Sequence, residues 1–86
     1  MNYTDQTKNR LKRIEGQVRG VLRMMEEDKN CKDVVTQLSA VRSAVDRTIA
    51  QIVALNLEQC LVEKQAAGED TSKVVEEAIQ LLVKSR

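Results

Sequence analysis

Apolar residues recur along this chain at spacings of three and four, which is the period of an α-helix that buries one face. The first such stripe consists of Leu11, Ile14, Val18, Val21 and Met25. Thr4 and Asp5 precede this stripe and are good helix-capping residues. The pattern therefore predicts a first helix that runs from these residues to about Asp28.

The middle of the chain carries the longest helical pattern, and this pattern has two apolar faces. One face follows Val34, Leu38, Val41, Val45, Thr48, Ile52, Leu55 and Val62, and the other follows Ile49, Val53, Asn56 and Cys60. Asn30 is a good N-cap, which predicts a second helix from about Cys31 to Gln65. Because two apolar faces need two packing partners, we expect the first helix to cover one face and a different chain to cover the other.

A turn at residues 66–68 separates the long helix from a shorter third one. Gly68 suits the left-handed conformation that follows a helix end, and Asp70 or Thr71 can start a helix that continues to about Val83. Proline is absent, and the two interruptions of the helical pattern carry turn or cap residues. We therefore predict an all-α subunit of three helices that forms a single domain over residues 1–86.

The composition excludes several classes of site. The chain of 86 residues has no histidine, which excludes Ser-His-Asp and Cys-His centres and any metal site that needs imidazole. Tyr3 is the only aromatic residue, so a subunit this small is expected to gain stability by oligomerisation. We expect no enzyme and no cofactor, because the sequence shows neither a general base nor a phosphate loop. No signal peptide or membrane span is visible, which predicts a cytoplasmic protein without a membrane partner.

The two cysteines lie near opposite ends of the predicted long helix. With about 1.5 Å of rise per residue, Cys31 and Cys60 are roughly 43 Å apart in one chain, so they can react together only between subunits. Antiparallel pairing of two copies about a twofold axis near Val45 and Asp46 places Cys31 opposite Cys60. The helix N-terminus and two nearby lysines favour Cys31 as the attacking thiol, and Cys60 fits a resolving thiol. Spacing alone leaves open that both thiols are inert.

Positive charge is concentrated in the first predicted helix. Residues 8–23 contain six basic residues and one acid, although the net charge of the whole chain is only +1. Such a surface suits DNA phosphates, and the scarcity of aromatic side chains favours duplex DNA over single strands. Charge alone leaves an ordinary solvated helix face equally open.

Two sequence blocks resemble the copper-sensitive operon repressor (CsoR-like) family, which also includes nickel, cobalt, formaldehyde and persulfide sensors. These blocks are RLKRIEGQVRG at residues 10–20 and NCKDVVTQLSAV at residues 30–41. The resemblance implies a three-helix subunit, an antiparallel dimer and a disc-like homotetramer that is a dimer of dimers. It also implies that double-stranded operator DNA is contacted by Arg10, Lys12, Arg13, Arg19 and Arg47. Lys8 and Arg42 are added to these DNA contacts on the basis of their charge.

The copper-sensing members of that family bind their metal through two cysteines and a histidine. The cysteines match Cys31 and Cys60, but the histidine position holds Asn56, and Asn30 replaces a tyrosine that often precedes the first cysteine. Two cysteines without histidine are similar to the persulfide-sensing branch, CstR. We therefore expect no metal site here.

The resemblance and the thiol geometry together predict a repressor that binds operator DNA while its thiols are reduced. Sulfane sulfur donors, such as persulfides and polysulfides, would link Cys31 and Cys60 of opposing subunits by a di- or polysulfide and release the DNA. Two alternatives stay open. One is a Cu(I)-sensing repressor that uses the same cysteines, and the other is a helical scaffold with inert thiols.

Overall fold

The computed structural model describes residues 2–85, and this range contains three α-helices and no strand. Helix α1 spans Asp5–Glu26, helix α2 spans Cys31–Ala66 and helix α3 spans Ser72–Lys84. Within the described range, no helix has an apolar stretch long enough to cross a lipid bilayer. The prediction of an all-α chain with a long second helix is confirmed.

The first two helices start at capping residues that are readable in the sequence. Thr4 Oγ1 accepts a hydrogen bond from the Thr7 amide at 3.1 Å, and Asn30 Oδ1 accepts one from the Asp33 amide at 2.9 Å. Each bond satisfies one of the amides that lack a partner in the first turn of a helix, and each such cap contributes about 1 kcal/mol. The caps therefore place the starts of α1 and α2 where the sequence predicts them.

The two connections between the helices each contain one residue with left-handed backbone. Gly68 has a φ of 72°, as the sequence predicts, and Asp28 has a φ of 57°. Asp tolerates this conformation better than most residues, and it explains why α1 ends at Glu26 instead of continuing to Asp28. The Asp70 carboxylate accepts hydrogen bonds from the Ser72 amide and hydroxyl, and these bonds hold the pKa of Asp70 below its ordinary value.

Tertiary contacts divide the described chain into two compact units. One unit contains residues 4–48, and the other contains residues 2–3 and 49–85. The buried apolar side chains are Ile14 and Val21 in the first unit and Val53 and Ala78 in the second. Each unit therefore has a very small core of its own, and the single domain over residues 1–86 stays a prediction.

Large apolar side chains are exposed in both units. They are Leu11, Val18, Leu22, Met25, Val35, Leu38 and Val45 in the first unit, and Val62, Val75, Ile79, Leu81, Leu82 and Val83 in helical parts of the second. In α3 the side chains of Val75, Ile79 and Leu82, which recur at helical spacing, are exposed. The buried residue of α3 is Ala78, with the half-buried Val74 one turn before it. Only one side of this apolar helix is therefore packed within the unit.

Candidate functional site

Three arginines line one pocket in the unit of residues 4–48. Arg10 and Arg13 come from α1 and Arg47 comes from α2, and the pocket has a volume of about 220 Å³. Ile14, Gln17 and Ala44 complete its lining. No carboxylate is among these lining residues, so nothing in the pocket neutralises the guanidinium groups. Their planar forks of N–H donors match the oxygens of phosphate groups, and we call this cluster the arginine pocket.

The other predicted DNA contacts of this unit lie outside the arginine pocket. Lys8 and Lys12 line a separate groove of about 480 Å³. Arg19 Nη2 donates a hydrogen bond to Glu15 Oε1 at 3.4 Å, and both side chains are exposed. Such an exposed pair contributes at most about 1 kcal/mol, but it places a negative charge beside Arg19. Arg10, Arg13 and Arg47 therefore line the arginine pocket together, and the other predicted DNA contacts are not among its lining residues.

Cys31 is the first residue of α2, and its side chain is exposed. The side chain of Asn30, which precedes it, is used in the helix cap, where it accepts the hydrogen bond from the Asp33 amide. The exposed thiol is accessible both to a small electrophile in solution and to another subunit.

Cys60 is half-buried and lies in a pocket of about 270 Å³ in the unit of residues 49–85. Residues of α2 and α3 complete the lining, namely Asn56, Lys64, Lys73, Val74, Glu77, Ala78 and Leu81. The Cys60 thiol donates a weak hydrogen bond to Asn56 Oδ1, with 3.8 Å between sulfur and oxygen. We call this cluster the thiol pocket.

Lys64 lines the thiol pocket and forms an ion pair with Glu69. Its Nζ donates a hydrogen bond to Glu69 Oε2 at 3.1 Å. This bond and the charge of Glu69 raise the pKa of Lys64, desolvation opposes the rise, and the charges of Cys60 and Glu77 add to it. Lys64 is therefore a cation at neutral pH, and it lines the same pocket as Cys60.

The donor atoms near Cys60 do not form a metal site within one chain. The side-chain atom that hydrogen-bonds its sulfur is the amide oxygen of Asn56, whereas soft metal ions prefer thiolate and imidazole ligands. Among residues 2–85, no group of three or more His, Cys, Asp or Glu side chains is placed to hold a metal ion. Cys31 belongs to the other unit, and both cysteines are free thiols.

The sequence analysis does not predict that Lys64 and Lys73 line the same pocket as Cys60. Lys64 follows Cys60 by four residues in the same helix, and this spacing alone could have indicated that it lies close to the thiol. Lys73 comes from α3, and its position depends on how α3 packs against α2. No local pattern of residues shows that contact in advance.

The fold is that of a helical transcriptional regulator. The solved structure of the nickel-responsive transcriptional regulator InrS matches this chain with a TM-score of 0.78 and 32% sequence identity, over 96% of this chain and 92% of InrS. This agreement extends across all three helices, because the matched share of the chain is nearly complete.

The chain belongs to the metal-sensitive transcriptional repressor family, whose profile matches residues 3–84. It is 48% identical over 69 residues to the copper-sensing transcriptional repressor RicR of Mycobacterium tuberculosis, covering 77% of this chain and 72% of RicR. It is also 56% identical over 63 residues to YrkD of Bacillus subtilis, covering 73% of this chain and 100% of YrkD. The predicted CsoR-like family, the repressor function and the absence of enzymatic activity are confirmed.

Proposed function

We propose that this chain forms a homotetrameric repressor that binds double-stranded operator DNA while its thiols are reduced and releases it when sulfane sulfur links Cys31 to Cys60 of an opposing subunit. The environment of Cys60 carries the sulfur part of this proposal. Asn56 occupies the position one turn before the thiol, and the chain contains no histidine. This set of side chains suits thiol chemistry better than it suits metal coordination.

The chemistry requires one sulfur transfer and one resolution step. The Cys31 thiolate attacks the terminal sulfur of a persulfide, the S–S bond of the donor breaks, and the donor leaves as a thiolate. The Cys60 thiolate then attacks the Cys31 sulfur and expels hydrosulfide. The protein dithiol is oxidised to a disulfide and the donor is reduced. A polysulfide donor can leave additional sulfur atoms within the link.

The arginine pocket supports the DNA part of the proposal. Arg10, Arg13 and Arg47 present three guanidinium groups with no lining carboxylate beside them. Phosphate contacts from such groups supply most of the affinity of a protein for duplex DNA and position the protein on it. We therefore assign the principal DNA contacts to these three arginines, and secondary contacts to Lys8, Lys12 and Arg19.

The exposed surface supports an assembly of several subunits. Large apolar side chains are exposed in each of the two units, including Val75, Ile79 and Leu82 of α3. Because two subunits are also needed to bring Cys31 to Cys60, assembly would bury the apolar surface and complete the sulfur site together.

Mass spectrometry and DNA binding test this proposal in one sample. After treatment with sodium tetrasulfide we expect a species of twice the subunit mass, with Cys31 and Cys60 joined, and loss of operator binding that dithiothreitol restores. The Cys60→Ser variant should accumulate sulfur on Cys31 without forming this link and should stay on DNA. Treated protein that remains as unlinked, unmodified subunits contradicts the proposal.

Cu(I) sensing by the same two cysteines is a second candidate, and the similarity to the copper-sensing repressor RicR favours it. Two thiolates from opposing subunits would bind the ion, with no contribution from an imidazole. A Cu(I) titration against a competing chelator separates the candidates. Tight binding that also releases operator DNA supports copper sensing, and weak binding without release supports the sulfur proposal.

A further inference from the structure

Two of the eight residues that line the thiol pocket are lysines from different helices, Lys64 from α2 and Lys73 from α3. The pocket volume of about 270 Å³ is close to the lower end of ligand pockets, which is about 300 Å³, so the pocket fits a small molecule. Val74, Ala78 and Leu81 form an apolar part of the wall. Electrostatic attraction is stronger beside such a wall than in bulk water.

The lining of the thiol pocket carries two ammonium groups and one carboxylate, and Glu69 adds a second carboxylate from outside the lining. Lys64 pairs with Glu69, but the two side chains are 43% and 55% exposed, and an exposed pair of this kind is easily exchanged for another anion. Lys73 takes part in none of the ion pairs found among residues 2–85. Glu77 is the one carboxylate in the lining, and it opposes an incoming anion.

We propose that Lys64 and Lys73 bind the negative charge of a small persulfide donor, so that anionic low-molecular-weight persulfides are the preferred substrates. This proposal rests on the proposed function, in which Cys31 of an opposing subunit lies opposite Cys60. The Cys31 thiolate bonds to the terminal sulfur of the donor held in the pocket, and the donor S–S bond breaks. The leaving thiolate keeps the electron pair of that bond and departs beside the two ammonium groups.

The rate of Cys31–Cys60 link formation tests the proposal when two donors of different charge are compared. Glutathione persulfide carries two carboxylates, and the persulfide of 2-mercaptoethanol carries no charge on its carbon chain. In the Lys64→Gln/Lys73→Gln variant we expect the reaction with glutathione persulfide to slow about tenfold. The rate of the reaction with the persulfide of 2-mercaptoethanol should change less than about twofold. Acid-quenched samples analysed by mass spectrometry give both rates.

Single substitutions on α3 provide matched controls. Lys73→Gln should slow the glutathione persulfide reaction about threefold, whereas Lys84→Gln removes the same charge outside the pocket and should leave the rate unchanged. Glu77→Gln removes the opposing carboxylate and should accelerate the reaction about threefold. These differences should shrink in about 1 M salt, where the Debye length falls to about 3 Å.

The outcomes distinguish this inference from the proposed function. If the link forms with both donors but the lysine substitutions slow both reactions equally, or slow neither, the anion-binding role is wrong and the sulfur-sensing function stands. If the unmodified protein forms no link with either donor, the proposed function is wrong and the inference fails with it. Circular dichroism of each variant establishes that it is folded.

Discussion

The arginine pocket and the thiol pocket share helix α2 but differ in the anions they suit. The arginine pocket has three guanidinium groups and no lining carboxylate, so it suits a polyanion such as the DNA backbone. The thiol pocket has two ammonium groups, a carboxylate, an apolar wall and a half-buried sulfur, which suits a small reactive molecule. Under the proposed function, Arg47 and Cys60 would place DNA binding and sulfur sensing at separate positions of α2.

If the proposed function holds, the two activities depend on different residues. No residue lines both pockets. A substitution in one pocket should therefore change one activity and leave the other intact, and coupling between them should appear only when the subunits are linked. Substitutions in and near the two pockets test that independence.

The largest effect is expected from removing two members of the arginine pocket together. Arg10→Ala/Arg47→Ala should weaken operator binding about 100-fold, because two phosphate-contacting guanidinium groups are lost. Link formation between Cys31 and Cys60 should proceed at the unmodified rate. Fluorescence anisotropy with labelled operator DNA measures the affinity.

The matched control for this pair is Arg23→Ala/Arg42→Ala, which removes the same charge from α1 and α2 outside the pocket. Its affinity should fall by less than about tenfold, since only the general electrostatic attraction is reduced. Equal losses for the two double variants would show that DNA binding depends on total charge, and the arginine pocket would then have no special role.

A smaller effect, on Cu(I) affinity, is expected from introducing an imidazole into the thiol pocket. Asn56→His places a nitrogen ligand one turn before Cys60, and it should raise the Cu(I) affinity at least about tenfold. Binding of the reduced variant to operator DNA should be unchanged, because position 56 lies outside the arginine pocket. Chelator competition measures the first quantity and anisotropy the second. Cu(I) affinity that does not rise would contradict the view that Asn56 is what makes the site unsuitable for metal.

The predictable part of this protein is the part determined by local sequence. Thr4 and Asn30 each accept a hydrogen bond from an amide three residues further along, and Gly68 adopts a left-handed backbone at the turn itself. The helix starts and the second turn can therefore be predicted from local sequence. The burial of Ala78 does not follow in this way. The apolar period of α3 is equally consistent with burial of the Val75 and Ile79 side, and packing against α2 decides between them.

The residues of the two pockets also divide into those that local sequence predicts and those that it does not. Arg10 and Arg13 are three residues apart on one helix, so their proximity follows from helical spacing. The contribution of Arg47 is implied by the family resemblance, because charge and spacing do not connect it to the first helix. No sequence signal of either kind indicates Lys73, since its place in the pocket of Cys60 depends on tertiary packing.

The smallest effect is expected at Arg19, the predicted DNA contact that the structure places outside the arginine pocket. Arg19 is paired with Glu15 at 3.4 Å, and the Arg19 side chain is 71% exposed. A phosphate group would have to compete with that carboxylate, so Arg19→Ala should weaken operator binding only about threefold. Glu15→Gln should strengthen it by about twofold, because the competing charge is removed.

Anisotropy at two salt concentrations checks both substitutions at Arg19 and Glu15. A loss for Arg19→Ala as large as that for Arg10→Ala/Arg47→Ala would extend the DNA surface along α1, beyond the arginine pocket. That result would favour the broad basic helix face that charge alone predicts. A loss of about threefold, with a correspondingly small change in the salt dependence, would instead confine the principal phosphate contacts to the place where α1 and α2 bring their arginines together.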